Sequence, residues 1–286
     1  MIVQEDTPGS LYIVATPIGH LADITFRAIE VLKQVSVIAA EDTRHSRHLL
    51  EYYGVNTSTI SLHEHNEQQR SEALLLRLQQ GESVALISDA GTPLISDPGY
   101  RLVSLVRQHG ITVVPVPGAS ALITALSASG LASDRFAFEG FLPAKPSARR
   151  QSLQHLVSEP RTLIFYESPR RLVDTLTDIQ IFFGAQRQIC LARELTKLHE
   201  TIVTISVADM LAWVITDSQQ QRGECVLLLE GQTQQQDIDE AEVKRLLTLL
   251  LQDLPVKRAA ALVSSMTEVS KNKAYQLALE IQQNTQ

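Results

Sequence analysis

The chain has 286 residues and a formal net charge of −7, enough length for one large domain or two. Its 44% apolar content supports a packed core. The acidic balance argues against general affinity for nucleic acid, although a local basic face is compatible with it. Two cysteines, Cys190 and Cys225, lie in apolar strand-like runs, and no Cys/His spacing resembles a zinc site. No apolar run is long enough to span a bilayer, and the first nine residues lack the basic and apolar pattern of a signal peptide. A cytoplasmic protein with no metal and no membrane segment is expected.

Residues 11–15 read as a first buried strand, followed by a turn-rich loop over 16–23. The spacing of Phe26, Ile29, Val31 and Leu32 predicts a helix over 25–34. A second strand over 37–40 carries Glu41-Asp42-Thr43-Arg44 at its tip. A helix over about 46–53 then ends at Gly54, a C-terminal glycine. A third strand, 59–62, leads through His63-Glu64-His65-Asn66 into a helix bearing Leu74, Leu75 and Leu78. Two histidines without a third ligand are read as solvated or hydrogen-bonding groups, not a metal site.

The fourth strand, 84–87, runs into the most constrained loop of the chain, 88–99, which holds two glycines and two prolines. Asp97 before Pro98 predicts a helix N-cap with proline at the first helical position. That leaves Asp89, at the strand tip, free to meet a ligand. A fifth strand, 112–115, exits through Pro117-Gly118-Ala119-Ser120 into a helix that runs to about Gly130. Strands alternating with helices across short loops predict a mostly parallel sheet covered on both faces. Ligands of such sheets bind outside the carboxyl ends of the strands.

A second α/β section starts near residue 131, with strands around 135–138, 162–166, 189–192, 201–205 and 225–229. Residues 232–239 are Gln-rich and read as a linker. The tail is helical, and its last two helices across a short turn fit a helix-turn-helix or a plain helical hairpin. The fold class is therefore α/β, in two lobes with a helical tail. The domains expected are an N-terminal lobe over 1–130, a second lobe over 131–233 and a tail over 237–286, a candidate RNA-docking module.

Several short motifs occur in a fixed order. They are Ala15-Thr16-Pro17-Ile18-Gly19, Ala40-Glu41-Asp42-Thr43-Arg44, Ser88-Asp89-Ala90-Gly91-Thr92-Pro93 and Pro117-Gly118-Ala119-Ser120. Glu139-Gly140-Phe141-Leu142-Pro143, Tyr166-Glu167-Ser168-Pro169 and Ala192-Arg193-Glu194-Leu195-Thr196-Lys197 continue the series. As an ordered set over the whole chain, they resemble the tetrapyrrole-methylase superfamily, and within it the branch that methylates ribosomal RNA. The resemblance implies a two-lobed fold, S-adenosylmethionine as cofactor, a homodimer, and 2′-O-methylation of a cytidine in 16S rRNA of the small ribosomal subunit. It implies cofactor contacts from Pro17, Ile18 and Gly19, from Asp89, Ala90, Gly91, Thr92 and Pro93, and from Ser120 and Ala121. Tyr166 and Glu224 are further matches. Two positions depart from the family pattern: His20 stands where asparagine is usual, and Arg170 where histidine is common.

Methyl transfer to a ribose hydroxyl needs alignment of two atoms and a group to take the proton. Glu41, Asp42 and Glu167 are carboxylates at strand tips and are candidate bases. Arg44 joins them as a candidate catalytic or phosphate-holding residue, although Glu41-Asp42-Thr43-Arg44 also fits a helix-capping ion-pair cluster. Arg149, Arg150 and Arg170, with Lys257, Arg258, Lys271 and Lys273 of the tail, are the candidate RNA contacts. Two other functions fit the residues less well: methylation of a tetrapyrrole, and RNA binding without catalysis in ribosome assembly.

Overall fold

The computed structural model describes residues 8–232, 240–267 and 269–283. The expected linker beyond Gln232, the start of the tail at Asp237, and Glu268 lie outside the described residues. Contacts divide the chain into two units, Met1–Gly231 and Gln232–Gln286.

The first unit holds two five-stranded sheets. One contains β1 (Leu11–Val14), β2 (Val37–Ala40), β3 (Thr59–Ser61), β4 (Val84–Ile87) and β5 (Val113–Val116) in the order β3-β2-β4-β1-β5. Every neighbouring pair is parallel. β2 and β4 are buried along their whole length, because helices cover both faces. These are α1 (Phe26–Gln34), α2 (Thr43–Tyr52), α3 (Glu67–Gln79) and α4 (Tyr100–Gln108). Leu11, Val37, Ala39, Val84 and Leu86 pack with Leu74 and Leu78 of α3 and Leu102 and Val106 of α4. Alternate residues, Val14, Ile38, Ala40, Ala85 and Ile87, meet Ala28 and Leu32 of α1 and Leu50 of α2. A strand's two-residue period thus divides one apolar run between two cores.

The other sheet contains β6 (Phe136–Phe141), β7 (Thr162–Glu167), β8 (Gln188–Arg193), β9 (Thr201–Ser206) and β10 (Cys225–Leu229), ordered β6-β7-β10-β8-β9. Only β6 and β7 pair in parallel; the other pairs are antiparallel. One face packs on α6 (Pro146–Leu156), α7 (Leu172–Phe183) and α8 (Val207–Thr216). Its other face takes α5 (Ala121–Ser129), whose Leu122, Ala125 and Leu126 meet Ile164, Cys190, Val226 and Leu228. The helix that closes the first βα series therefore covers the second sheet and joins the two.

In the second unit, α9 (Glu240–Leu250), α10 (Val256–Met266) and α11 (Lys271–Gln283) enclose a core of their own. Leu247, Ala259, Val263, Ala274 and Leu277 lie at its centre. No helix among the described residues is long and apolar enough to cross a membrane.

Two helix starts differ from expectation. α2 begins at Thr43, earlier than its apolar spacing suggests, because the Asp42 side chain caps it. Asp97 does not cap α4. The N-cap is Gly99, and Glu67 Oε1 accepts the N–H groups of Gly99 at 3.0 Å and Arg101 at 2.9 Å. A carboxylate at a helix N-terminus serves the same orphan donors from a distant part of the chain.

Candidate active site

Loops at the carboxyl edge of the first sheet face the second sheet, and two chambers open there. The first has a volume of about 320 Å³. Ile18, Ala90–Thr92 and Ile95–Asp97 wall one side, Ser120 and Ala121 open α5 beside them, and Phe141, Tyr166 and Gly223–Val226 close it from the second sheet. Thr16 and Gly91 exchange two backbone hydrogen bonds, of 2.9 and 3.0 Å, which tie the β1 and β4 loops together. Gly91 has φ +83°, and a Cβ there would stand 3.3 Å from Ile18 Cγ2. Bare backbone keeps this wall open and free to approach a ligand. Leu94 at φ 73° and Ser96 at φ 68° hold left-handed conformations that side chains disfavour, a strain that concentrates at binding sites. Tyr166 meets Phe138 and Phe141 edge to face, with ring centroids 4.8 and 5.6 Å apart.

Freed from capping, Asp97 lines this first chamber. Burial, followed by the charges of Glu41 and Asp89, pushes its carboxyl up to about 6. Glu41, half-buried behind Asp89, is raised as well, by burial first and then by Asp89. The three form a carboxylate cluster that favours a positively charged ligand. Cys225 also lines the chamber, and burial pushes its thiol up to about 12. It behaves as a small apolar side chain, as its sequence context suggested.

The second chamber, of about 620 Å³, shares Ile18, Ala90 and Glu224 with the first. Pro17, Gly19, Arg44, His45, Asp89 and Lys197 are among its other walls. Its cations are paired with carboxylates in or beside the wall. Asp42 accepts from Arg44 N at 2.8 Å and pairs with its guanidinium at 3.1 Å, which pulls the Asp42 carboxyl down to about 2. Lys197 Nζ lies 2.9 Å from Glu194 and 3.0 Å from Glu224. Asp89 Oδ1 is fixed by the Asp42 N–H at 3.0 Å. A Cβ on Gly19 would come 2.6 Å from Lys197 Cγ, so the Pro17–Gly19 turn and the loop after β8 close on each other there.

The expected site residues divide accordingly. Ile18, Ala90, Gly91, Thr92, Ser120, Ala121, Tyr166, Glu167 and Glu224 line the first chamber. Pro17, Gly19 and Asp89 face the second, together with Arg44. Pro93 lines neither. Glu41 neighbours Asp89 and lines neither chamber, and Asp42 is the helix cap.

Two expectations fail on burial. The Glu167 side chain is fully buried; its oxygens accept from Ser168 N and Thr175 Oγ1, both at 2.6 Å, and one pairs with Arg171 at 2.6 Å. Although Glu167 belongs to the wall of the first chamber, its oxygens are engaged by these three partners. Arg149 is buried with Asp178, at 2.7 Å, and Arg150 pairs with the other Asp178 oxygen at 2.8 Å. Burial would raise the Asp178 carboxyl, but the two guanidiniums outweigh it and hold it below the ordinary value. Arg149 therefore fixes α6 to α7 and offers nothing to RNA. Arg150 keeps half its surface in solvent, and Arg170 is exposed in the turn after β7. In the tail, Lys257 and Arg258 lie in the first turn of α10, with Lys271 and Lys273 in the first turn of α11. All four are exposed.

Asp97, Ile95, Ser96 and Leu195 line the first chamber and Lys197 the second; the Ala192–Lys197 motif is the sequence signal that points to the last two. Its Arg193 is buried, and its guanidinium donates to Gln220 Oε1, Arg222 O, His199 O and Thr201 Oγ1 at 3.1 to 3.4 Å. It thereby braces the loops that carry Lys197 and Glu224. Among the described residues, no group of three or more His, Cys, Asp or Glu is placed to hold a metal ion.

Two facing α/β layers with a chamber at the strand tips define the class. Residues 10–211 match the family model of Tetrapyrrole (Corrin/Porphyrin) Methylases, and residues 237–282 match that of the RsmI C-terminal HTH domain. Among solved structures, the uroporphyrin-III-C-methyltransferase of Thermus thermophilus is 19% identical, with a TM-score of 0.56 over 78% of this chain and 94% of that one. A diphthine synthase is 14% identical, with a TM-score of 0.58 over 78% and 90%. At these identities the likeness concerns the fold. Much closer are two proteins named Ribosomal RNA small subunit methyltransferase I. The one from Escherichia coli O157:H7 is 55% identical over 97% of both chains, and the one from Pseudomonas aeruginosa is 55% identical over 96% and 98%. The chain belongs to the ribosomal RNA small subunit methyltransferase I family, within the tetrapyrrole methylases.

Proposed function

We propose that this protein methylates the ribose 2′-oxygen of a cytidine in the 16S rRNA of the small ribosomal subunit, with S-adenosylmethionine in the first chamber and the target nucleotide in the second. The observation that carries this reading is the junction at Ile18, Ala90 and Glu224, where the two chambers meet. An in-line displacement needs donor and acceptor sites that open onto each other at one point. The names of relatives sharing 55% of their residues over nearly the whole chain support rRNA as the acceptor.

The first chamber suits the cofactor chemically. Tyr166 and Phe141 offer aromatic surface to a purine. The backbone of Ala90–Thr92 and the start of α5 offer hydrogen-bonding groups at close range. Asp97, with Glu41 and Asp89 behind it, supplies negative charge for a cationic ligand. S-adenosylmethionine supplies the methyl group, carried on a sulfonium. Asp89, facing the second chamber and held by the Asp42 N–H, takes the proton of the ribose hydroxyl. Glu224 and Lys197 orient the sugar at the junction. Arg44 and Arg170 hold flanking phosphates, and the exposed cations of the tail dock the rRNA. The protein works in the cytoplasm as a homodimer, a reading that rests on family resemblance; a dimer mass in sedimentation tests it.

The deciding experiment is methylation of purified 30S subunits, with the modified nucleotide mapped by mass. One methylated cytidine ribose in 16S rRNA is expected. Methyl transfer to a tetrapyrrole and none to subunits would overturn the reading.

A further inference from the structure

Among the described residues the two most exposed large apolar side chains are Leu198, at 93%, and Phe26, at 89%; Tyr100 follows at 73%. Single exposed leucines are ordinary. These two differ in their position and their mounts. Leu198 follows Lys197, a wall of the second chamber, and Phe26 opens the helix into which another wall segment, containing Leu21, leads.

Both mounts are stiff. Glu194 at φ 51° and Thr196 at φ 63° kink the loop before Leu198. Glu200 Oε2 accepts the Thr196 N–H at 2.6 Å, Lys197 N donates to Glu194 O at 3.0 Å, and Arg193 donates to His199 O at 3.2 Å. Phe26 follows Thr25, whose hydroxyl accepts from Ala28 N at 3.1 Å, and Leu21 O accepts from the Tyr53 hydroxyl at 2.8 Å. Strained, heavily braced backbone that holds Leu198 in water calls for a partner, and the capped start of α1 holds Phe26 exposed in the same way.

The second chamber says which partner. A space of about 620 Å³ admits one nucleotide and not an RNA helix, so the target must leave its stack to reach the junction. Proteins that open a stack insert apolar side chains between bases. We infer that Leu198 and Phe26, on segments that adjoin walls of the second chamber, are wedges that fill the stack the target nucleotide vacates. The inference rests on the proposed RNA methylation.

The test uses the full-length protein and 30S subunits. With a photoreactive benzoylphenylalanine at position 198, irradiation should crosslink the protein to bases flanking the methylated cytidine. Leu198→Ala combined with Phe26→Ala should lower kcat/KM on subunits about tenfold or more, while the Kd for S-adenosylmethionine and the oligomeric mass stay unchanged. Crosslinking to a second copy of the chain, or to no RNA near the target, would overturn the wedge, as would undiminished activity of the double variant. If the unaltered protein itself leaves subunits unmethylated, the function proposed above fails instead.

Discussion

The two chambers share three residues and are built from opposite materials. The first is shaped by backbone and packing: Gly91 without a Cβ, the strained turn at Leu94 and Ser96, and aromatic edges from β6 and β7. Among the described residues, its carboxylate walls are Asp97 on the side of the first sheet and Glu167 and Glu224 on the side of the second. The second is walled by charged side chains that mostly have ion-pair partners in or beside the wall, Arg44 with Asp42 and Lys197 with Glu194 and Glu224. Charged motifs therefore overstate how many free groups a site holds, because a strand tip that starts a helix consumes its own carboxylate. Shape carries recognition in one chamber, and a few uncommitted groups carry chemistry in the other.

Filling the first chamber should have the largest effect. Gly91→Val places a branched side chain at positive φ against Ile18 and should lower cofactor affinity about a hundredfold or more, measured by calorimetry, with 30S binding intact. Next, Asp89→Asn should cut kcat about a hundredfold while the cofactor Kd stays within about threefold. Loss of cofactor affinity in its place would move Asp89 to the first chamber and blur the division. Replacing Lys257, Arg258, Lys271 and Lys273 with glutamine should weaken subunit binding about tenfold at moderate salt and flatten its salt dependence, with cofactor binding untouched.

The smallest effect is the most diagnostic. Asp97 has a folded-state value raised to about 6. An ionised Asp97 attracts a cation, so cofactor affinity should rise as pH rises through about 6. Asp97→Asn should flatten that profile, with a loss of about tenfold or less at pH 8. A raised value also means that protonation stabilises the free protein at low pH and that this contribution is lost as pH rises through about 6. Asp97→Asn should accordingly raise the melting temperature of the free protein at pH 8 and leave it nearly unchanged at pH 4.

Local patterns made the frame legible. The apolar runs of β2 and β4 identify strands covered on both faces, and Gly54 marks the end of α2. Long-range partners were not legible. Glu67 caps α4 from 32 residues away, which no reading of Asp97-Pro98 could reveal. Asp178 draws Arg149 into the interior from 29 residues away, and Thr175 and Arg171 take the oxygens of Glu167. The motif series pointed to loops that line the two chambers, but which side of the junction each residue faces depends on how the second sheet closes over the first through α5.

The most direct test of the division is a crystal structure with S-adenosylhomocysteine bound. The division predicts the nucleoside beside Tyr166 and Ala90–Thr92, with the sulfur at the junction of Ile18, Ala90 and Glu224 and the chamber of Asp89 and Arg44 open to solvent. A nucleoside seated against Arg44 and Asp89, with the Tyr166 chamber vacant, would contradict it.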